Sequence, residues 1–489
     1  MDTTRREFIG GAGAMFAAVA GGGLAAAQEN GLAAGPRRLR IGIASDVHVS
    51  TAEAAQKFRT ALEYFKGLGV DGVCIPGDFT DGGVKEQLAL SAQAWFDVFP
   101  ENKGADGRTV EKLFIYGNHD IGGHKYAFPE GRDKTPEWFE ANAMQLGDNR
   151  KKFWEELFGE PWEPIWKKTV NGYAFVGGSW SRGPFHVDGA PQWLRDHAAE
   201  LRGEKPFFYI QHPHPKGVMP YFWSGDDGTI TEALSEFPNA VAITGHSHAP
   251  IVDERSIWQG AFTCINAGSL KYTEIGGGRE NSRTFGQVDP KTKQMFFLWG
   301  PDGAPVMVMD VYDDAIVFAR YDVVAKAPVG ADWVVPWKNG KGAGFSLEER
   351  AGKTPVPEFA ADAKVTVKER RGMNRAKVET DQIVVEFPNV RKTDGAAARA
   401  FDFEVTCELR DVDVERTWLV KRVYSPKFYL PESKDAKIAN CVFAKDELPK
   451  PFAIKDGPPH PTIAWRFSVR PCDSFGRKGR PISTSWFEA

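Results

Sequence analysis

The chain has 489 residues, 42% hydrophobic and 26% charged, with 65 acidic against 61 basic residues and a formal charge of -4. At roughly 100 to 200 residues per domain that length suggests two to four domains, and it excludes a peptide-scale, collagen-like or wholly disordered product. The near balance of charge argues against general nucleic-acid binding, whose affinity comes from an excess of Lys and Arg neutralising phosphates.

In chain order the first element reads as an address. Thr3-Thr4-Arg5-Arg6-Glu7-Phe8-Ile9 is followed by a weakly apolar Ala/Gly run that ends in Ala25-Ala26-Ala27. This resembles a twin-arginine export signal, residues 1 to 27, cleaved after Ala27. It implies a periplasmic or otherwise extracytoplasmic protein exported already folded, a route often taken by proteins that take up a cofactor before crossing the membrane. No other stretch offers the roughly 18 consecutive apolar residues of a membrane span, so no transmembrane segment is expected after signal cleavage. Cys74, Cys264, Cys407, Cys441 and Cys472 are scattered, without a CxxC pair. Neither a disulfide framework nor a zinc ribbon is indicated, and they read as small buried residues.

Next come five short apolar runs with helical segments between them: residues 39 to 44, 72 to 75, 112 to 116, 207 to 210 and 240 to 243. The first helix opens on a Ser50-x-x-Glu53 capping box and carries Phe58, Ala61, Leu62 and Phe65 at helical spacing. Uninterrupted apolar runs are what strands buried on both faces look like, and the alternation with helices predicts a layered α/β fold.

The residues that end each run carry the chemistry. The first ends in Asp46-Val47-His48, the second in Gly77-Asp78-Phe79-Thr80-Asp81, and the third in Gly117-Asn118-His119-Asp120. The fourth ends in Gln211-His212-Pro213-His214, and the fifth in Gly245-His246-Ser247-His248. Loops beyond the carboxyl ends of strands share one edge of an open α/β sheet, so these side chains are expected to converge. Asp46, His48, Asp78, Asn118, His212, His246 and His248 supply two carboxylates, four imidazoles and an amide oxygen. That is more than one four-coordinate ion needs and enough for a pair sharing a carboxylate. In the fourth block either His212 or His214 could be the ligand; His212 directly ends the strand.

These five blocks resemble the calcineurin-like metallophosphoesterase superfamily over roughly residues 39 to 335. The resemblance implies a four-layer α/β/β/α sandwich that binds two divalent or mixed-valence transition metal ions, Fe, Mn or Zn. One would be held by Asp46, His48, Asp78 and His248, the other by Asp78, Asn118, His212 and His246, with Asp78 bridging. Asn118 and His119 would meet the substrate phosphate, Asp81 would orient His119, and a metal-bridging hydroxide would attack. Gly82-Gly83 and Asp120 stand where Ser/Thr protein phosphatases carry Arg-Gly and Glu, and Asp81 stands where purple acid phosphatases carry Tyr. The first departure favours the phosphodiesterase-like and small-molecule branches, and the second means that the coloured iron-tyrosinate variant is not implied.

The stretch 121 to 206 holds Trp138, Trp154, Trp162, Trp166, Trp180 and Trp193, which read either as an aromatic lid or as packing of an insertion. His124 and Arg132 could reach the phosphate, whereas His186 and His197 read as surface or structural. The β-type runs 261 to 266, 305 to 311 and 315 to 319 are expected to complete the second sheet. The catalytic domain is thus expected over 37 to 337. A linker is expected over 338 to 363, followed by an all-β sandwich over 364 to 489 with a fibronectin type III-like final hairpin, a place for protein or cell-surface docking.

The expected function is therefore an exported dinuclear phosphoesterase acting on a phosphomonoester or phosphodiester. The alternatives are a nuclease or cyclic-nucleotide-type phosphodiesterase, and a catalytically weak metal-binding protein that works through its C-terminal module.

Overall fold

The computed structural model describes residues 31–33, 35–127, 134–181, 187–219, 225–276, 278–281, 299–300, 303–373, 378–411, 414–448 and 463–488, and structural statements concern these. The export signature, Arg132 and His186 lie outside the described residues.

The chain divides into two compact units, Met1–Thr273 with Pro301–Glu349, and Glu274–Gly300 with Arg350–Ala489. The division departs from the sequence boundaries in two places. Residues 274–300 group with the second unit, and the expected linker over 338–363 contains the strand Lys341–Gly342 and the helix Leu347–Lys353. A capping box nucleates that helix: the Ser346 amide donates to Glu349 at 2.9 Å, and the Glu349 amide donates back to the Ser346 hydroxyl at 3.2 Å. Composition read the segment as a linker because its Gly and Lys hide this local signal.

In the first unit, β1 (Leu39–Ile43), β2 (Gly72–Ile75) and β3 (Glu111–Phe114) run parallel. The helices Ala52–Leu68 and Lys85–Val98 cross between them. Thr51, one residue later than expected, caps the first helix with its hydroxyl on the Ala54 amide, and Gly69 ends it in a left-handed conformation. The second sheet is built from β4 (Ile165–Val170), β5 (Tyr173–Gly178), β6 (Phe207–Gln211), β7 (Ala240–Thr244), β8 (Ile257–Gln259) and β9 (Thr263–Asn266), in the order β4-β5-β6-β7-β9-β8. Here β5, β6, β7 and β9 are parallel.

One topological expectation changes. The strands Pro305–Val311 and Ala315–Asp322 extend the first sheet rather than the second, because Pro305–Val311 pairs antiparallel with β1 in the register Leu39↔Val311 to Ile43↔Met307. Of the three runs, 263–266 alone joins the second sheet as expected.

Apolar periodicity explains the layering. Ile41, Ile43, Cys74 and Leu113 from the first sheet meet Phe175, Phe208, Ile210, Val241 and Ile243 from the second. On the outer face of the first sheet Val73, Ile75 and Phe114 pack against Phe58, Leu62, Phe65 and Trp95. On the outer face of the second, Val176, Tyr209 and Ala242 pack against Leu194, Ile230 and Leu234. The result is the expected α/β/β/α sandwich. Each such side chain, fully buried, contributes about 1.5–3 kcal/mol.

Three of the tryptophans of 121 to 206, Trp154, Trp166 and Trp193, serve this packing. Trp154 is buried edge-on to Tyr116 at 4.8 Å between centroids, Trp166 donates its indole N–H to the Phe114 carbonyl at 3.0 Å, and Trp193 stacks on His197 at 3.8 Å. His124 lies beside Phe139, 5.9 Å between centroids.

The second unit contains a three-stranded antiparallel sheet, Thr366–Met373, Glu379–Pro388 and Ile438–Ala444, and a five-stranded one centred on Asp402–Asp411 and Ile463–Cys472. Val385, Phe387, Phe403, Val405, Phe467 and Val469 fill the space between them. The five cysteines are buried and none forms a disulfide. Among the described residues no helix is long and apolar enough to cross a membrane.

Candidate metal centre

The loops leaving β1, β2, β3, β6 and β7 deliver Asp46 and His48, Asp78, Asn118, His212, and His246 and His248 to one buried place. The two carboxylates and the four imidazoles are each less than a tenth exposed. Their ligand atoms form groups that could hold a metal: Asp46, His48 and His248; Asp78, His212 and His246; and His48, Asp78 and His119. His248 Nε2 lies 3.0 Å from Asp46 Oδ1, and His48 Nε2 lies 3.1 Å from His248 Nε2. His212 Nε2 lies 2.9 Å from Asn118 Oδ1. Asp78 Oδ2 stands between the two sets, 3.5 Å from His48 Nε2 and 3.2 Å from His212 Nε2. Donors that share one ion at about 2.0–2.2 Å stand about 3 Å apart, so these separations fit a metal shell. His214 is not part of it: its Nδ1 lies 3.0 Å from the Pro215 carbonyl, and its ring packs on Gly225.

Backbone strain marks the same residues. Asp46, His48, Asp78, His246 and His248 all have positive φ, between 47° and 63°. Such conformations cost a non-glycine residue about 1–3 kcal/mol each and persist only where surrounding bonds enforce them. Here the strand ends are laced together. The His48 amide donates to the Asp78 carbonyl at 2.9 Å, the Asp46 amide to Gly77 at 3.2 Å, the His246 amide to the Asp46 carboxylate at 3.0 Å, and the Ser45 hydroxyl to the same carboxylate at 2.6 Å.

The second nitrogen of two of the imidazoles is tied as a ligand's is. His212 Nδ1 donates to the Pro76 carbonyl at 2.6 Å and His248 Nδ1 to the Tyr272 carbonyl at 3.1 Å, which leaves Nε2 of each as the coordinating atom. His48 Nδ1 faces Asp81 Oδ1 at 3.2 Å. The contact expected between Asp81 and His119 runs through the main chain: the Asp81 carbonyl accepts from His119 Nδ1 at 2.8 Å, the carboxylate being 4.0 Å away and nearer to His48. The turn after β2 places carbonyl and carboxylate on different imidazoles, a distinction invisible in a motif.

Residues 39–250 match the family model described as calcineurin-like phosphoesterase. Over that span, less than half of the chain, the sequence is similar to that family. The chain is accordingly a metal-dependent phosphoric ester hydrolase. Among solved structures it is similar to a dimetal phosphatase from Danio rerio, with 12% identity, 62% of this chain and 100% of that chain covered, and a TM-score of 0.37. It is similar to GAP50, the anchor in the inner membrane complex of Plasmodium, with 15% identity, 64% and 94% covered, and a TM-score of 0.34. A third is zinc-complexed Vps29 from Entamoeba histolytica, with 13% identity, 61% and 100% covered, and a TM-score of 0.26. Likenesses this distant leave the functional argument to the site itself. No curated protein matches the chain.

Several residues that the motifs did not assign shape the phosphoesterase site. Asp120, fully buried, accepts from the amides of Phe79, Thr80 and Gly117 at 3.2, 2.8 and 2.9 Å and from the Thr80 hydroxyl at 2.9 Å, pinning the second loop to the third. Burial and the nearby Asp78 raise its carboxyl to about 7 against those donors. Ser269 donates to the Asp46 carbonyl at 3.1 Å, and Trp180 lies against His212 and His246 at 6.0 and 5.5 Å between centroids. Asp120 stands in the third block and Trp180 among the tryptophans read as lid or packing, whereas Ser269 lies outside every motif.

Two glycines of the motifs are required sterically. A Cβ on Gly117 would fall 2.2 Å from Asp78 Oδ1, and one on Gly245 would fall 2.5 Å from Asp46 Oδ2. Gly245→Ala is therefore expected to lower stability by about 1–3 kcal/mol and to reduce metal content, read by thermal unfolding and elemental analysis. Unchanged metal content would show that the loop tolerates displacement.

Electrostatics among these side chains set the pH dependence of metal entry. Burial opposes charge on His48, but hydrogen bonds to Asp46 and Asp81 and the charge of Asp78 outweigh it and raise the imidazole to about 10. His212 rises to about 9 against burial through Asp78 and Asp46. Although burial opposes ionisation of Asp46 and Asp78, neighbouring imidazoles hold both below the usual carboxylate range. Burial, reinforced by His212, keeps His246 well below its ordinary value and neutral. Coordination requires unprotonated imidazoles, so metal entry must displace the protons of His48 and His212. Affinity should rise with pH up to about 9, by about tenfold per unit for each proton displaced. Calorimetry in buffers of different ionisation enthalpy at pH 7 should detect close to two protons released; none released would contradict this charge assignment.

Proposed function

We propose that the chain is an exported, two-metal phosphoesterase that hydrolyses a phosphomonoester or phosphodiester. The observation that carries this reading is the position of Asp78 Oδ2 between His48 and His212, one from each half of a buried donor shell. One ion belongs to Asp46, His48, Asp78 and His248, and the other to Asp78, Asn118, His212 and His246. Imidazole and carboxylate donors suit Fe, Mn or Zn. When bound, such a pair supplies Lewis-acid charge for phosphoryl oxygens and a water acidic enough to act as nucleophile near neutral pH.

The chain's own residues do the rest. The carbonyls of Pro76 and Tyr272 fix the tautomers of His212 and His248, and burial of the shell strengthens every charge interaction within it. His119 donates Nδ1–H to the Asp81 carbonyl, so Nε2 is the nitrogen that holds or passes a proton at the departing oxygen. Burial pushes His119 below its ordinary value, partly offset by Asp78, so the imidazole is neutral until an anionic phosphate arrives. Asn118 and His119 are the groups that meet the phosphate. Export is supported by the Arg5-Arg6 signature and the Ala/Gly run after it.

The test is direct. The mature chain, purified with Mn, Fe or Zn, should release nitrophenolate from p-nitrophenyl phosphate, from bis-p-nitrophenyl phosphate, or from both. Two bound metals with no turnover of either would count against hydrolysis of simple phosphoesters.

A further inference from the structure

The buried donors are sealed from solvent, and a narrow rim of polar side chains beside them is open. His48, His212 and His248 are 2%, 0% and 4% exposed, whereas His119, Asp81 and Lys271 are 25%, 38% and 31% exposed. Lys271 contributes a cation to that rim. Its position is set by the backbone: its amide donates to the Asp46 carbonyl at 3.2 Å and to the Ser269 hydroxyl at 3.1 Å, and the next residue, Tyr272, accepts from His248. The Lys271 ammonium then points to the side of the shell where Asp81 and His119 lie. It is 3.7 Å from Asp81 Oδ2 and 3.4 Å from the His48 carbonyl, both long for a group with three N–H donors. Asp81 thus splits its two oxygens, Oδ1 to His48 and Oδ2 to Lys271.

We infer that Lys271 is a phosphate-binding residue of this site, meeting a non-ester oxygen of the substrate on the His119 side and favouring phosphomonoesters over phosphodiesters. The inference rests on the phosphoesterase reading and goes beyond it to the substrate class. A monoester presents three non-ester oxygens, one more than a pair of ions needs to clamp, and carries two negative charges. A diester carries an organic group in place of that third oxygen, and only one charge. A flexible ammonium at the rim therefore stabilises the first and gains little from the second. Neither Lys271 nor the segment after β9 belongs to the five motif blocks, which is why the sequence did not single it out.

The readout that tests Lys271 without requiring turnover is titration of inorganic phosphate into the metal-loaded full chain by calorimetry. Loss of one charge-assisted hydrogen bond in Lys271→Met should weaken phosphate binding about 10- to 100-fold. Lys271→Arg should restore most of it, and elemental analysis should find the same metal content in all three proteins. The kcat/KM ratio of p-nitrophenyl phosphate to its bis ester should fall at least about tenfold in Lys271→Met, for the same reason. Unchanged phosphate affinity in Lys271→Met would overturn the inference. So would loss of metal together with phosphate, which would make Lys271 a brace for Asp81 and His48. If wild type turned over neither ester, the hydrolase reading would fail while the phosphate titration still decided the role of Lys271.

Discussion

Asp78→Asn is expected to abolish turnover and remove most of the bound metal. Among the described residues, Asp78 is the only carboxylate within 3.5 Å of imidazoles from both halves of the shell. The substitution keeps the shape, so the amide of His119 can still find an oxygen where it now donates to Asp78 Oδ1 at 2.8 Å. What disappears is one negative charge held below the usual carboxylate range in a buried site that must balance two cations. The loss in kcat should be on the order of 10³-fold or more, about 4 kcal/mol of barrier. Circular dichroism should report an intact fold and elemental analysis less than one metal per chain. Two tightly held metals in this variant would remove Asp78 from the bridging position.

His119→Ala should behave in the opposite way towards the metals. His119 lies edge-on to His48, 4.5 Å between ring centroids, and is a quarter exposed, where the donors beneath it are sealed. Its Nδ1 is bound to a carbonyl, so truncation strips a proton-transfer and charge-stabilising group while leaving Asp46, Asp78, Asn118 and the four ligand imidazoles in place. The metals should stay, and kcat should fall by about 10²- to 10⁴-fold. Substrates with a good leaving group, which need less protonation, should lose less than those with a poor one. Complete metal loss would instead assign His119 to the shell, an arrangement for which His48, Asp78 and His119 are close enough.

The parts of this site that were legible in the sequence are those governed by strand ends. An apolar run that stops at Asp46 and His48, or at Gly77 and Asp78, states both where the strand stops and which side chain faces the crevice, because the loop has no room to do otherwise. The four-layer sandwich was legible for the same reason: short buried runs alternating with amphipathic helices have few ways to pack. The misplacements came where several partners were chemically equivalent. Pro305–Val311 could pair with either sheet edge on composition alone, and its register with β1 decides the matter only in three dimensions. Asp81 offers a carboxylate and a carbonyl 38 residues from His119, and nothing in a Gly-Asp-x-x-Asp pattern says which one turns towards that ring. Asp120 read as a family marker, whereas four donors make it the clasp between two loops. Lys271 stayed hidden because a lone lysine after a strand is ordinarily a solvated surface residue.

The central claim is that one buried carboxylate is shared between two ions. Crystals of the chain grown with Mn and measured at the metal's absorption edge test it most directly. The account predicts two anomalous peaks, one on either side of the Asp78 carboxylate, the first bordered by Asp46, His48 and His248 and the second by Asn118, His212 and His246. A single peak, or peaks away from Asp78, would contradict it.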